Sequence, residues 1–167
     1  MILRIFHHLL DSLCTTLSPK AWEVSSLTVR QAKTWLKKFD DAFEKEYLNS
    51  FIDFSGLQTI SPEVARVVAK TDGCLCLNGL TTITPEVAEA LARHEGPLFL
   101  DGLTTITPEV AEALAKHKGS LSLGGLTAIT PEVAEALAKH ESELLLDGLS
   151  TITPEVAEAL AKHQDDL

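Results

Sequence analysis

The order of apolar and polar positions along the chain changes period within short stretches, and each period names an element. Leu98-Phe99-Leu100 alternates, which predicts a short strand with Leu98 and Leu100 on a core face and Phe99 on the opposite face. Gly102 permits a turn that a side chain would hinder, and Leu103 and Ile106 bring apolar groups back to the interior. Val110, Ala113 and Leu114 then follow helical spacing, so one stripe of a short helix faces inward. Thr107-Pro108-Glu109 supplies the start: a hydroxyl to accept a free backbone N–H, a ring suited to the first turn, and a negative charge at the positive pole. Glu112 and Lys116 lie four apart on the outer face in the favourable order, as do Glu89 and Arg93, Glu135 and Lys139, and Glu158 and Lys162.

This strand, turn and helix recurs. Gly56, Gly79, Gly102, Gly125 and Gly148 are spaced by 23 residues, as are Pro62, Pro85, Pro108, Pro131 and Pro154. The segment Glu-Val-Ala-Glu-Ala-Leu-Ala is identical at residues 86–92, 109–115, 132–138 and 155–161. Five units fill Phe51 to Asp165, the first strand falling at Ile52 to Phe54. One unit cannot bury its leucines alone, whereas stacked units share a continuous core. The expected fold is therefore α/β, a curved solenoid with parallel strands on its concave side and short helices on its convex side.

Upstream, Ala32, Leu36, Phe39 and Phe43 are spaced by four, three and four, which predicts an amphipathic helix from Thr28 to about Leu48, extended in its stripe by Trp35 and Tyr47. Residues 1–50 are read as an N-terminal helical cap region and residues 51–167 as the repeats. Met1 to Leu13 is apolar, but Arg4, His7, His8 and Asp11 interrupt it, which argues against a signal peptide or a membrane span and for packing on the cap helix.

The run from Leu98 to Ala115, Leu-Phe-Leu-Asp-Gly-Leu-Thr-Thr-Ile-Thr-Pro-Glu-Val-Ala-Glu-Ala-Leu-Ala, resembles a leucine-rich repeat of the cysteine-containing type and, in its short length, compact bacterial leucine-rich repeats. Leu57, Leu80, Leu103, Leu126 and Leu149 stand where that family places Cys or Asn, so the turn ladder those side chains build must be replaced. The resemblance implies the fold. No F-box-like segment supports carrying over the ubiquitin-ligase adaptor role of eukaryotic members.

Charge then narrows the partners. The net charge of −10 sits in the repeats, since residues 1–50 carry seven Lys/Arg against six Asp/Glu and residues 51–167 carry seven against eighteen. Such a surface repels phosphate backbones and anionic membrane faces, so nucleic acid is not the expected partner, and no stretch approaches the length needed to cross a bilayer, so no membrane insertion is expected. Three cysteines, Cys14, Cys74 and Cys76, suit a reducing compartment, the cytoplasm, with free thiols.

Candidate chemistry is sparse. His94, His117, His140 and His163 form a column that invites a metal reading, yet neighbouring helices pack about 8–10 Å apart, too far for two ligands to share one zinc. Terminal imidazoles bonding to free helix carbonyls explain the column better. Cys74 and Cys76 merely share a strand face, and Gly124 separates Asp101 from Asp147 in their column, so neither pair makes a metal shell. No metal, cofactor or catalytic motif is expected, and rows of like groups do not make one unique active site.

Rows of like groups do make an extended surface. Asp53, Cys76, Phe99, Ser122 and Leu145, flanked by Ser55, Asn78, Asp101, Gly124 and Asp147, are the outward strand positions that vary between units. The expected function is a module that binds a protein or peptide on the concave face, with Phe99 and Leu145 as apolar anchors. The alternative is assembly: no polar capping unit is recognisable at His163-Gln-Asp-Asp-Leu167, so Leu144, Leu146 and Leu149 would form an open edge for self-association, or the chain would be a fragment of a longer array.

Overall fold

The computed structural model describes residues 27–42 and 51–163. The chain runs α1 (Val29–Ala42), β1 (Phe51–Asp53), α2 (Pro62–Val68), β2 (Cys74–Cys76), α3 (Pro85–Leu91), β3 (Leu98–Phe99), α4 (Pro108–Leu114), β4 (Leu121–Ser122), α5 (Pro131–Leu137), β5 (Leu144–Leu145) and α6 (Pro154–Leu160). The strands form one parallel sheet in chain order, and helices alternate with them. Phe51 pairs with Cys74, Leu75 with Leu98, Leu98 with Leu121 and Leu121 with Leu144, so the sheet register equals the sequence period. Each helix packs on the next, and α1 packs on α2. Among the described residues no helix is long and apolar enough to cross a membrane.

Strand alternation places Leu75, Leu98, Leu121 and Leu144 in the core, where all four are fully buried. The inward helix stripe holds as read: Val110, Ala113 and Leu114 are buried. Ala111 is fully buried as well, because it lies between adjacent helices and its methyl lets them approach. The first strand begins at Phe51, one residue earlier than expected. The external Glu-to-cation positions are exposed and form no ion pair, in keeping with the side-chain entropy that opposes exposed pairs.

Each of the five repeat helices starts on the expected cap. Thr107 adopts an extended backbone and its hydroxyl accepts from the Val110 N–H at 3.4 Å; Ser61 does the same for α2. The carboxyl groups of Glu63, Glu132 and Glu155 are held below the usual carboxylate range by hydrogen bonds from their own backbone N–H and then from the capping hydroxyl, and those of Glu86 and Glu109 by the capping hydroxyl first and the backbone N–H second. Helix α1 opens on a capping box: the Gln31 side chain accepts from the Thr28 N–H at 2.9 Å, and the Thr28 hydroxyl accepts from the Gln31 N–H at 3.3 Å. Its apolar stripe is described at Ala32, fully buried, and Leu36, partly buried. The side chains of Trp35 and Phe39, the expected extension through Phe43, Tyr47 and Leu48, and residues 1–26 lie outside the described residues.

The repeated glycine works by close approach. A Cβ on Gly102 would lie 2.1 Å from the Asn78 carbonyl oxygen and 2.7 Å from that of Leu80, and one on Gly125 would lie 2.0 Å from the Asp101 oxygen. None of these glycines has a positive φ, which among the described residues belongs to Gly73 alone. The column therefore sets the distance between units rather than the handedness of a turn.

Candidate functional site

Two surfaces carry side chains beyond the core: the sheet face turned away from the helices, and the line where the helices end.

On the outward sheet face, the positions read as free to vary divide into three kinds. Phe51 and Phe99 remain on the surface, Phe51 with 41% of its area exposed. Their ring centroids lie 6.2 Å apart with planes tilted by 49°, although β2 separates their strands. The rings lean together above the small cysteine side chains of β2, a spacing within the favourable range for aromatic pairs. Leu145 is half-buried, and Asp53 and Asp147 are exposed.

A second kind is occupied in joining units. Asn78 accepts the Asp101 N–H at 2.9 Å through its side-chain oxygen, and Asp101 accepts the Gly124 N–H at 2.8 Å and the Ser122 hydroxyl at 2.5 Å. Asn78 and Asp101 thus extend the strand ladder past its last backbone pair. Both side chains, expected to meet a partner, also hold the next unit.

The third kind is buried. Cys76 and Ser122, expected to meet a partner, are covered despite facing outward. The Cys76 sulfur sits 3.0 Å from the Ser55 hydroxyl, and Ser122 is spent on Asp101. Burial pushes the Cys76 thiol up, with the Ser55 contact opposing, so the sulfur stays protonated at neutral pH. Cys74 and Cys76 are free thiols. Phe51, by contrast, lies on this face against Phe99 and was outside the expected set. Starting β1 one residue earlier puts it in the column of Cys74, Pro97, Ser120 and Glu143.

This face is acidic. Asp53, Asp101, Glu143 and Asp147 lie on it with no Lys or Arg at the outward strand positions. Asp53 accepts from the Ser55 N–H at 2.8 Å, and Glu143 accepts from the Ser120 hydroxyl. These bonds orient the carboxylates without neutralising them.

At the helix ends, the histidines form a column closer than helix packing suggested. Rings of His94 and His117, His117 and His140, and His140 and His163 have centroids 6.2, 6.1 and 6.3 Å apart, with planes within 4° of parallel. The rings approach more nearly than helix axes because each projects into the seam between units. The His94 Nε2–H donates to the Gly73 carbonyl at 3.0 Å, which lies in the turn before β2 and not at the end of the histidine's own helix. Neither ring nitrogen of His117 or His140 makes a hydrogen bond of good geometry. Burial first, and neighbouring rings after it, depress the imidazole pKa of His117; the nearby carbonyls of Ala92 and Gly96 oppose this. His140 is depressed in the same way, chiefly by burial. Among the described residues no three His, Cys, Asp or Glu side chains are grouped to hold a metal ion.

The expected assembly edge is also resolved. Leu144, expected on that edge, is fully buried in the core. Leu146 and Leu149 are partly exposed, and Ile152, with 53% of its area exposed, joins them together with Ala157.

A scan of protein-family models gives no match to this chain, and searches of the curated proteins and of the solved structures give none either.

Proposed function

We propose that the chain is a non-catalytic binding module of leucine-rich-repeat kind, a curved solenoid whose concave strand face takes an extended protein or peptide segment. The observation that carries the reading is the pair of exposed Phe51 and half-buried Phe99 on a largely polar sheet face. Large apolar rings on a polar surface stabilise little where they stand and gain on being covered. The carboxylates of Asp53, Glu143 and Asp147 around them favour a segment that offers an apolar side chain flanked by Lys or Arg. The free thiols Cys74 and Cys76 suit a reducing compartment.

The test is selection from a displayed peptide library against the intact chain, with selected peptides then titrated against Phe51→Ser/Phe99→Ser. Enriched peptides combining an apolar residue with cations, and at least tenfold weaker for the variant, support the face. Peptides bound equally by both proteins overturn it.

One observation favours a second reading, assembly through the last unit. Leu146, Leu149, Ile152 and Ala157 form an apolar strip beside β5, which has no strand beyond it among the described residues. Light scattering over a concentration series decides this: a dimer abolished by Ile152→Asp supports assembly, and a monomer throughout removes it.

A further inference from the structure

The histidine column belongs to neither surface above, and its geometry has a chemical consequence. His94, His117 and His140 are at most 2% exposed and stack at 6.1–6.3 Å. The arrangement suits neutral rings. The Nδ1 atoms of His117 and His140 are buried and make no hydrogen bond of good geometry, so a second proton on either ring is poorly accepted. A charge on one ring would also face a charge on the next.

The packing explains why the rings sit so tightly. A Cβ on Gly96 would lie 3.1 Å from His94 Nε2, and one on Gly119 would lie 3.0 Å from His117 Nε2. The imidazoles of His94 and His117 therefore fill the space left beside a glycine two residues further on, and Ser142 stands at that position after His140. The first unit uses another solution at the matching position: Thr71, whose hydroxyl donates to the Val68 carbonyl at 2.8 Å within its own helix end. That group does not titrate.

Charged groups of both signs surround the column, with cations in the majority over His117 and His140. Asp72, Arg93 and Glu95 stand near the His94 level; Glu112, Lys116, Lys118, Lys139 and Glu141 line the groove over His117 and His140; Lys162 precedes His163. The Glu143 backbone faces His140, while the Glu143 side chain is held by Ser120. No carboxylate bonds to a ring nitrogen of His117 or His140.

We propose that the stacked histidines form an acid-responsive seam: neutral rings hold the second to fifth units together, and protonation in mildly acidic conditions separates those units. The sign follows from which state binds the proton more readily. The depressed affinity of folded His117 and His140 for protons leaves stability complete above the ordinary imidazole pKa of about 6.5. It then declines as pH falls from there toward the folded value. Each ring kept neutral raises the unfolding constant by up to about tenfold per pH unit within that window. The capping glutamates titrate below it, near or under about pH 4.3.

The experiment compares hydrogen-exchange protection factors at pH 7.5, 6.5 and 5.5 for the full chain and for His117→Thr/His140→Thr, which installs the solution of the first unit. Wild type is expected to lose about tenfold protection or more per pH unit below 6.5 in β3 to β5 and α4 to α6, and the variant to stay flat. A wild type that keeps its protection at pH 5.5, or a variant with the same slope, overturns the seam. Should the variant fail to fold, ring C–H resonances of the wild type are followed against pH. His117 and His140 titrating below the ordinary value together with loss of protection supports the proposal; titration at the ordinary value with protection retained overturns it.

Discussion

From Leu98 to His117 in the third unit and from Leu144 to His163 in the fifth, the sequence differs at two positions, Phe99 against Leu145 and Thr104 against Ser150. The surroundings differ far more. Leu103 and Ala111 are fully buried in the third unit, whereas Leu149 is partly exposed and Ala157 exposed in the fifth. His117 is buried and His163 half-buried. Nearly the same residues therefore contribute differently, because much of what a unit buries is supplied by the unit after it. Stability in such an array is a sum of what a unit does within itself and what it does to its neighbour.

Substitutions at matched positions separate those two parts. The largest contrast is expected at the leucine after the glycine. Leu103→Ala removes a fully buried side chain and is expected to cost about 2–5 kcal/mol, while Leu149→Ala, starting from partial exposure, is expected to cost less than half as much. Urea unfolding of both variants measures this; equal losses would mean that the last unit is closed as tightly as the third.

A smaller contrast lies between adjacent glycines at the seam. Gly125→Ala drives a methyl onto the Asp101 backbone oxygen and is expected to destabilise by about 1–3 kcal/mol. At Gly124 the nearest atom to a new Cβ is the Asp101 side-chain oxygen at 3.2 Å, which gives way only by straining its bonds to Ser122 and Gly124, so Gly124→Ala is expected to cost about 1 kcal/mol or less. Thermal melts that rank the two the other way would remove the glycine column as the spacer between units.

The smallest contrast should be none at all. Thr107→Ala and Thr153→Ala each remove a capping hydroxyl that bonds within its own unit, and each is expected to cost about 1 kcal/mol. A clear difference between them would show that caps too depend on the neighbour, against the comparison above.

The same division explains what could be read from residues alone. Caps, strand alternation and the inward stripe depend on groups a few positions apart, so Thr107-Pro108-Glu109 and Val110, Ala113 and Leu114 announce their roles locally. The Asn78 and Asp101 bonds, the cover over Cys76 and the stacking of His94 on His117 join residues 21 to 23 apart. Their identities change from unit to unit or have meaning only in pairs. The Asn78-to-Asp101 spacing was present as a signal, since a polar side chain one period before another strand end can reach its N–H. Phe51 escaped because its column, Cys74, Pro97, Ser120 and Glu143, contains no second large apolar group to mark it.

The equality of sheet register and sequence period reaches beyond packing. Because Leu98 meets Leu121 just as Leu75 meets Leu98, copying one unit's coding block in frame would add a strand, a helix and one further seam that matches the old ones. Deleting a block would close the gap with equally matched edges. Length is then a heritable setting that can change by whole units in a single genetic event, while every surviving contact keeps its chemistry.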